Sequence, residues 1–378
     1  MALLATSAQG LQRQLRILET YCTERGLTVN IKKTKAMLLV GAKKPEDAVK
    51  RVKQARLTYA GERVEGVAEF KYLGVTFHCT DPLGKSAPPA RAAVDRFAEA
   101  QFAGQCAARG LEATRLLIML YHSLVDSTLS YSAAVWAPDL AYSAATRPIR
   151  GGSGNQSEAE KQHMRTMRRL LGVPTRTPNP TVLAELGEPP LYITWLVSAA
   201  RLWNQLVTAR PGSVMRQVLD ASMQLAATPE SNPGEAMEPW ATQLQRAMLA
   251  AGVEFDMQQR QQIDPAIVRQ VALTNYLERV AAAAQEEGAS RLLQRGATRV
   301  PTTAQEEGAS RLRHYFSVVR PVCLTPEGYT RDTYLEEVRK RRRRRGITEL
   351  RTGMHWGREE RDRLRGTARP PLAERTCP

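Results

Sequence analysis

Apolar residues at Leu11, Leu15, Leu18 and Cys22 recur at helical spacing, with Ser7 placed to cap the start and Gly26 to stop the end. The pattern predicts a helix that buries one face. Three runs rich in β-forming residues follow, KAMLLV (35–40), ARLTYAGERV (55–64) and FKYLGVTF (70–77), punctuated by Gly41, Gly61 and Gly66. A helix followed by strands predicts an α+β fold. TDPLGKSAPP (80–89) is a Pro/Gly break and marks a boundary. Residues 90–130 read as two helices joined at Gly110, the second well buried through LLIMLYHSLV. Residues 145–157 have the composition of a loop. A further helix is expected over 158–171, halted by Gly172 and by Pro174, Pro178 and Pro180, and helical patterning resumes through about 210.

Composition changes this picture at the two ends. At 378 residues and 43% hydrophobic, the chain has room for two or three domains. Its net charge of +16 points toward polyanions, because Lys and Arg neutralise phosphates. Residues 11–56 carry +8 and residues 339–378 carry +9, leaving the span between them close to neutral. The run RKRRRRR (339–345) is expected to stay solvated or to meet a polyanion, and it also has the form of a nuclear-import signal. AQEEGASRL occurs at 284–292 and again at 304–312, too few copies for a solenoid. Five scattered cysteines without a C-x-x-C pair form neither a disulfide framework nor a complete zinc site. Without a long apolar run or a secretion signal, the expectation is a soluble intracellular protein with no membrane partner.

Several stretches invite a chemical reading. LGKS (83–86) resembles the end of a phosphate-binding loop, but the first glycine of that motif would have to stand at Cys79. His122, Ser123 and Asp126 lie within about one helical turn, where a structural polar pair outweighs a hydrolase triad. His78 and Cys79 are adjacent in a strand and so face opposite ways. The acidic pairs, such as Glu46-Asp47 and Glu286-Glu287, have the surroundings of solvated surface. Trp136, Trp195 and Trp203 read as core. In GLTVNIKKTK (26–35), Lys32, Lys33 and Lys35 could neutralise phosphates, or simply form a solvated face after a helix end.

GLTVNIKKTK followed about 40 residues later by FKYLG resembles two consecutive motifs of the reverse transcriptases of non-LTR (LINE-type) retrotransposons. The likeness extends to LVDSTLSYSAAVW (124–136), where Ser132 stands in place of the glycine of a Y-G-x-x-x-W pattern. It continues through residues 160–206, where a basic helix, L-G-V, a proline-bearing loop and E-L-G-x-x-P-L occur in order. ELRTGMHWGREERDRLRGTARPPLAERTCP (349–378) resembles the approach to the family's terminal zinc module, of which only Cys377 is present.

The resemblance implies the end of a polymerase palm over 1–80, a helical thumb over 81–145, a post-thumb region over 158–210 and a basic tail over 335–378. Residues 211–334 match no part of it. It implies nucleotide or template contacts at Gly26, Leu27, Asn30, Lys33 and Thr34, and a primer-gripping hairpin at Phe70, Tyr72, Leu73 and Gly74. Phosphate contacts are expected at Arg339, Lys340, Arg341, Arg342, Arg343, Arg344 and Arg345. Such enzymes hold Mg²⁺ on aspartates of a turn expected just before Met1, so no catalytic residue, metal ligand or cofactor is expected in this chain. The expected partners are RNA and DNA. A nonenzymatic nucleic-acid-binding protein and a decayed fragment without function are the alternatives.

Overall fold

The computed structural model describes residues 1–39, 44–80, 105–106, 108–110, 113–149, 156–227, 238–294, 315–321, 325–332, 334–337 and 341–351. The chain divides into two compact units, Met1–Ala90 with Ala227–Glu238, and Arg91–Ala226 with Pro239–Pro378. The described residues are mostly helical, with small sheets confined to residues 35–78, a composition compatible with the α+β class.

In the first unit, α1 (Ala8–Glu24) starts where the Ser7 side chain accepts from the Gly10 N–H at 3.1 Å. Its stripe of Leu11, Leu15 and Leu18 packs on a small core of Leu15, Ala36, Val52, Leu57, Tyr59 and Val64. The end is a Schellman motif: with Gly26 at φ +64, the Leu27 N–H reaches the Cys22 carbonyl and the Gly26 N–H reaches Thr23. The strand expected over 35–40 is shortened to β1 (Lys35–Ala36). Its parallel partner β4 (Glu65–Gly66) is only two residues long, and the ladder ends with it.

Sequence periodicity missed the helix α2 (Pro45–Gln54), because Ala48 and Val52 are its only buried residues. It forms on local grounds instead. Proline opens it, Glu46 and Asp47 sit in the first turn, and Arg51 and Lys53 sit in the last, all favourable to the helix dipole. The run expected as one strand at 55–64 is a hairpin, β2 (Thr58–Tyr59) against β3 (Glu62–Arg63). The run at 70–77 is likewise a hairpin, β5 (Glu69–Tyr72) against β6 (Val75–His78). Both turns, Ala60-Gly61 and Leu73-Gly74, have two consecutive positive φ angles, the type I′ geometry that matches strand twist.

The second unit is helical. In chain order it comprises α3 (Thr114–Tyr121), a π-helical turn (His122–Asp126), α4 (Ser127–Leu129), α5 (Ala133–Trp136) and α6 (Pro138–Thr146). Then come α7 (Glu158–Leu171), α8 (Asn179–Leu186), α9 (Leu191–Val207), α10 (Val214–Ala227), α11 (Trp240–Ala250) and α12 (Pro265–Gln294). The short α13 (Tyr334–Glu337) and α14 (Arg341–Arg351) follow. A continuous core from Cys106 to Leu335 joins the segments expected as thumb, post-thumb region and unassigned 211–334. Trp136, Trp195 and Trp203 are all in it. Trp136 meets Trp195 edge-on at 5.3 Å, and Trp203 meets Phe255 at 5.0 Å. Each indole N–H finds an acceptor, Tyr131 O, Ser130 Oγ and Gln261 O respectively. The first AQEEGASRL copy continues α12. The second copy, most of 90–112 and the 352–378 tail lie outside the described residues.

Candidate functional site

Three sequence-predicted groups and one cluster of titratable residues define the candidate sites. After the α1 terminus, Asn30 caps a 3-10 turn (Ile31–Lys33) by accepting from the Lys33 N–H at 3.1 Å. The Thr34 hydroxyl donates to the Asn30 carbonyl at 2.9 Å. Leu27 and Lys33 are exposed. Lys35 is held by Glu65, whereas Lys32 and Lys33 have no acidic partner among the described residues. The loop thus presents two cations on a backbone fixed by Gly26, Asn30 and Thr34.

In the β5–β6 hairpin Phe70 pairs with Phe77 and Tyr72 with Val75. Alternation puts Phe70 and Tyr72 on one face. Leu73, at φ +48, is 71% exposed at the turn beside Gly74. A branched apolar side chain in that conformation and in water is unfavourable on both counts. Loop and hairpin belong to the same unit.

The basic run belongs to the other unit and departs from expectation. Arg339 and Lys340 lie outside the described residues, and for Arg341, Arg342 and Arg343 only the helical backbone is described. The expectation that a run of like charges stays wholly solvated fails at Arg344, which is buried. Helical periodicity turns Arg344 to the same side as buried Thr348, whose hydroxyl donates to the Arg344 carbonyl. Arg345 remains exposed and pairs with Glu349 at 2.8 Å. Its aliphatic stem covers Gly172, the left-handed stop of α7, so closely that a Cβ there would meet Arg345 Cδ at 3.2 Å. The α7 helix carries exposed Arg165 and Arg169.

What docks α14 is a buried ionic hub on the ELG stretch. Glu185 is fully buried and accepts from the hydroxyls of Tyr315 at 2.6 Å and Tyr334 at 2.7 Å, and from Arg351 Nε at 3.0 Å. Burial, and then the Glu185 charge, push the Tyr334 phenol above its ordinary range, so it serves as a neutral donor. Arg320 donates to the Ala184 and Thr330 carbonyls, and Asp332 pairs with both Arg320 and Arg351. The positive φ of Gly187 is required twice over. It terminates α8, and a Cβ would lie 2.4 Å from the Arg331 backbone nitrogen. Sequence patterns gave no sign of this hub, because its members are spread from Glu185 to Arg351.

The His122–Asp126 spacing does produce a contact, on a π-helical turn, a geometry that recurs at functional sites. His122 Nδ1 lies 3.1 Å from Asp126 and Nε2 lies 3.0 Å from Glu188. These hydrogen bonds, opposed in part by burial, push the imidazole up to about 10, so it is a cation at neutral pH. Burial disfavours the Asp126 carboxylate, yet the bonds from His122 and Ser130 outweigh it and hold its pKa low. With both ring nitrogens engaged by carboxylates, neither can take a proton from a serine, so no hydrolase triad exists here. Nearby, buried His163 shares a 2.6 Å hydrogen bond with the Tyr121 hydroxyl, and desolvation lowers its pKa.

Among the described residues no group of three or more His, Cys, Asp or Glu is placed to hold a metal ion, and no described helix is long and apolar enough to cross a membrane. No protein-family model, curated protein or solved structure matches the chain.

Proposed function

We propose that this chain is part of a non-LTR retrotransposon reverse transcriptase and that its own contribution is to bind RNA and DNA. The observation that carries the reading is the serial order of its motifs: helix, G-L-x-V-N-x-x-K-T, F-K-Y-L-G, the Tyr131–Trp136 stretch, L-G-V and E-L-G-x-x-P-L. Backbone geometry at those positions supports it. Gly26, Gly74, Gly172 and Gly187 all have positive φ, and so does Ser132, where the family pattern has glycine. In this reading the hairpin at Phe70, Tyr72, Leu73 and Gly74 meets the primer end, the Lys33 loop faces the nucleotide and template, and the arginines of α7 and α14 meet phosphates. The chain supplies positioning and charge, with no catalytic step assigned to its residues.

Salt dependence of binding tests the electrostatic part. For duplex DNA, log K against log[salt] should slope by roughly −0.9 per phosphate contacted. Arg169→Glu with Arg345→Glu should flatten it by one to two such increments. Deletion of 339–378 is the wrong comparison, because Arg344, Thr348 and Arg351 are built into the fold. A photoreactive nucleotide at a primer 3′ end should crosslink within 69–78. Crosslinks confined to α7 and α14 would instead indicate a nonenzymatic nucleic-acid-binding protein, and an unchanged slope would remove the arginines from the interface.

A further inference from the structure

The α10 helix (Val214–Ala227) has two apolar faces, and the fold of the chain uses one of them. Leu219 and Met223 turn inward and join the core of the helical unit. The Ser222 hydroxyl accepts from the Ala241 N–H at 3.1 Å, and Arg216 donates to the Val207 carbonyl at 2.9 Å, so the helix is held in one orientation. That orientation leaves Val214, Val218 and Leu225 at 74%, 56% and 64% exposure, with Ala221 also exposed between the last two. Steps of four, three and four residues keep all of them on one stripe, the alternation that lines the seam between paired helices. An aligned apolar stripe on a docked surface helix marks a contact surface.

The charges around the stripe select its occupant. On the helical wheel Gln217 and Gln224 border it on one side and Met215 and Ser222 on the other, with no ionisable residue between these borders. The charges of α10, Arg216 and Asp220, lie behind the glutamines and pair with each other at 3.7 Å, and Arg260 also holds Asp220 at 2.6 Å. A phosphate backbone or an anionic lipid surface finds no cation on this face, and a charged peptide finds no counter-charge. A neutral face is what two copies of a chain carrying +16 need in order to meet, because contact through basic surface would oppose like charges. The stripe is also self-complementary. In an antiparallel pair with its two-fold axis between positions 219 and 220, Val214 meets the partner's Leu225 and Val218 meets the partner's Ala221, so each layer sets a larger side chain against a smaller one.

We propose that α10 is the contact helix of a homodimer, two copies pairing antiparallel along Val214, Val218, Ala221 and Leu225. With 14 residues α10 is about 21 Å long, so one such pair buries less than the roughly 1,200 Å² of a standard interface. The dimer is accordingly weak, with a dissociation constant on the order of 100 µM. Salt screens the repulsion between the two basic copies and so tightens the dimer, whereas it weakens binding to phosphates. Dimerisation and nucleic-acid binding are therefore independent and respond to salt in opposite directions.

Sedimentation equilibrium of the full chain, freed of nucleic acid, should show a monomer–dimer equilibrium that tightens between about 0.1 and 0.5 M salt. Val218→Asp puts two carboxylates into the seam and should weaken association roughly tenfold or more, with the urea midpoint unchanged because the position is exposed. Crosslinking reads the register. Val214→Cys and Leu225→Cys proteins should be joined by a short bismaleimide only when the two are mixed, since in the antiparallel pair each position lies about 16 Å along the axis from its own copy. Wild type, with five cysteines, sets the background. A monomer at every concentration up to about 500 µM would overturn the proposal. Association that salt weakens would do the same and point to a bridging polyanion, and crosslinks of either variant with itself would exclude the antiparallel seam. Monomers whose introduced thiols resist a soluble maleimide would assign the stripe to another segment of the same chain and likewise end the proposal.

Discussion

Ser132 holds φ +57 without glycine's freedom, just before α5 and beside the Trp136–Trp195 contact. A left-handed conformation costs an L-residue about 1–2 kcal/mol, partly offset because glycine would have more unfolded-state entropy to lose. Ser132→Gly should therefore stabilise the helical unit by about 0.5–1 kcal/mol, read as a raised urea midpoint at constant m-value. His122 makes the opposite kind of contribution, through charge. Its folded pKa, raised to about 10 by Asp126 and Glu188, exceeds the unfolded value near 6.5, so protonation favours the folded state. The stability difference between wild type and His122→Ala should be full at pH 6, shrink from about pH 6.5 upward, and vanish as pH passes about 10. Urea midpoints across that range check it, and a difference that grows with pH would contradict the ionic clamp between the π-helical turn and Glu188.

At the scale of elements, α14 is fastened to α8 by a carboxylate with no access to water. Removing one partner of a buried charged pair costs about 3–5 kcal/mol, more than an exposed pair returns. Glu185→Ala takes the acceptor from the Tyr315 and Tyr334 hydroxyls, while Arg351 keeps its pair with Asp332, and should lower stability by about 2–4 kcal/mol, one orphaned buried donor costing about 1–3 kcal/mol. Gly187→Ala should do comparable damage by another route, because its Cβ would strike the 330–331 backbone, which has no side-chain end to yield. Proteolysis checks both, with early cleavage expected within 315–351 while α7 and α9 stay protected. Equal protection of 315–351 in wild type and variants would mean that other contacts hold the segment. The basic run owes its helical form to this docking, since its charges alone disfavour close packing.

For the molecule as a whole, the two units differ in what they bury. The helical unit has a core from Cys106 to Leu335, including Trp195 and Trp203 at 1% and 0% exposure. The first unit buries far fewer large side chains and leaves Ile17, Tyr21 and Leu27 at 70%, 51% and 55% exposure. A fully buried side chain of that size is worth about 1.5–3 kcal/mol, and two-stranded sheets are marginal on their own. Amides of 8–24 and 69–78 should accordingly exchange much faster than those of 114–129 and 191–207. Equal protection throughout would show that the first unit is stabilised by more than its own core.

What the sequence determined by itself is whatever local physics decides. Ser7 and Gly26 bracket α1 as their types imply, the 158–171 helix ends at Gly172, and three tryptophans lie in the core because nothing else buries so much apolar surface. The His122–Asp126 contact was legible as an i,i+4 spacing. Its clamp by Glu188, 66 positions on, was not. Strand lengths were overestimated because β-propensity marks residues fit to pair, while the partner strand sets how many do. The Arg344 burial and the Glu185 hub were decided only by tertiary structure. Each joins residues from segments far apart in the chain, and burial assigns a charged or polar group its partner only once those segments have met.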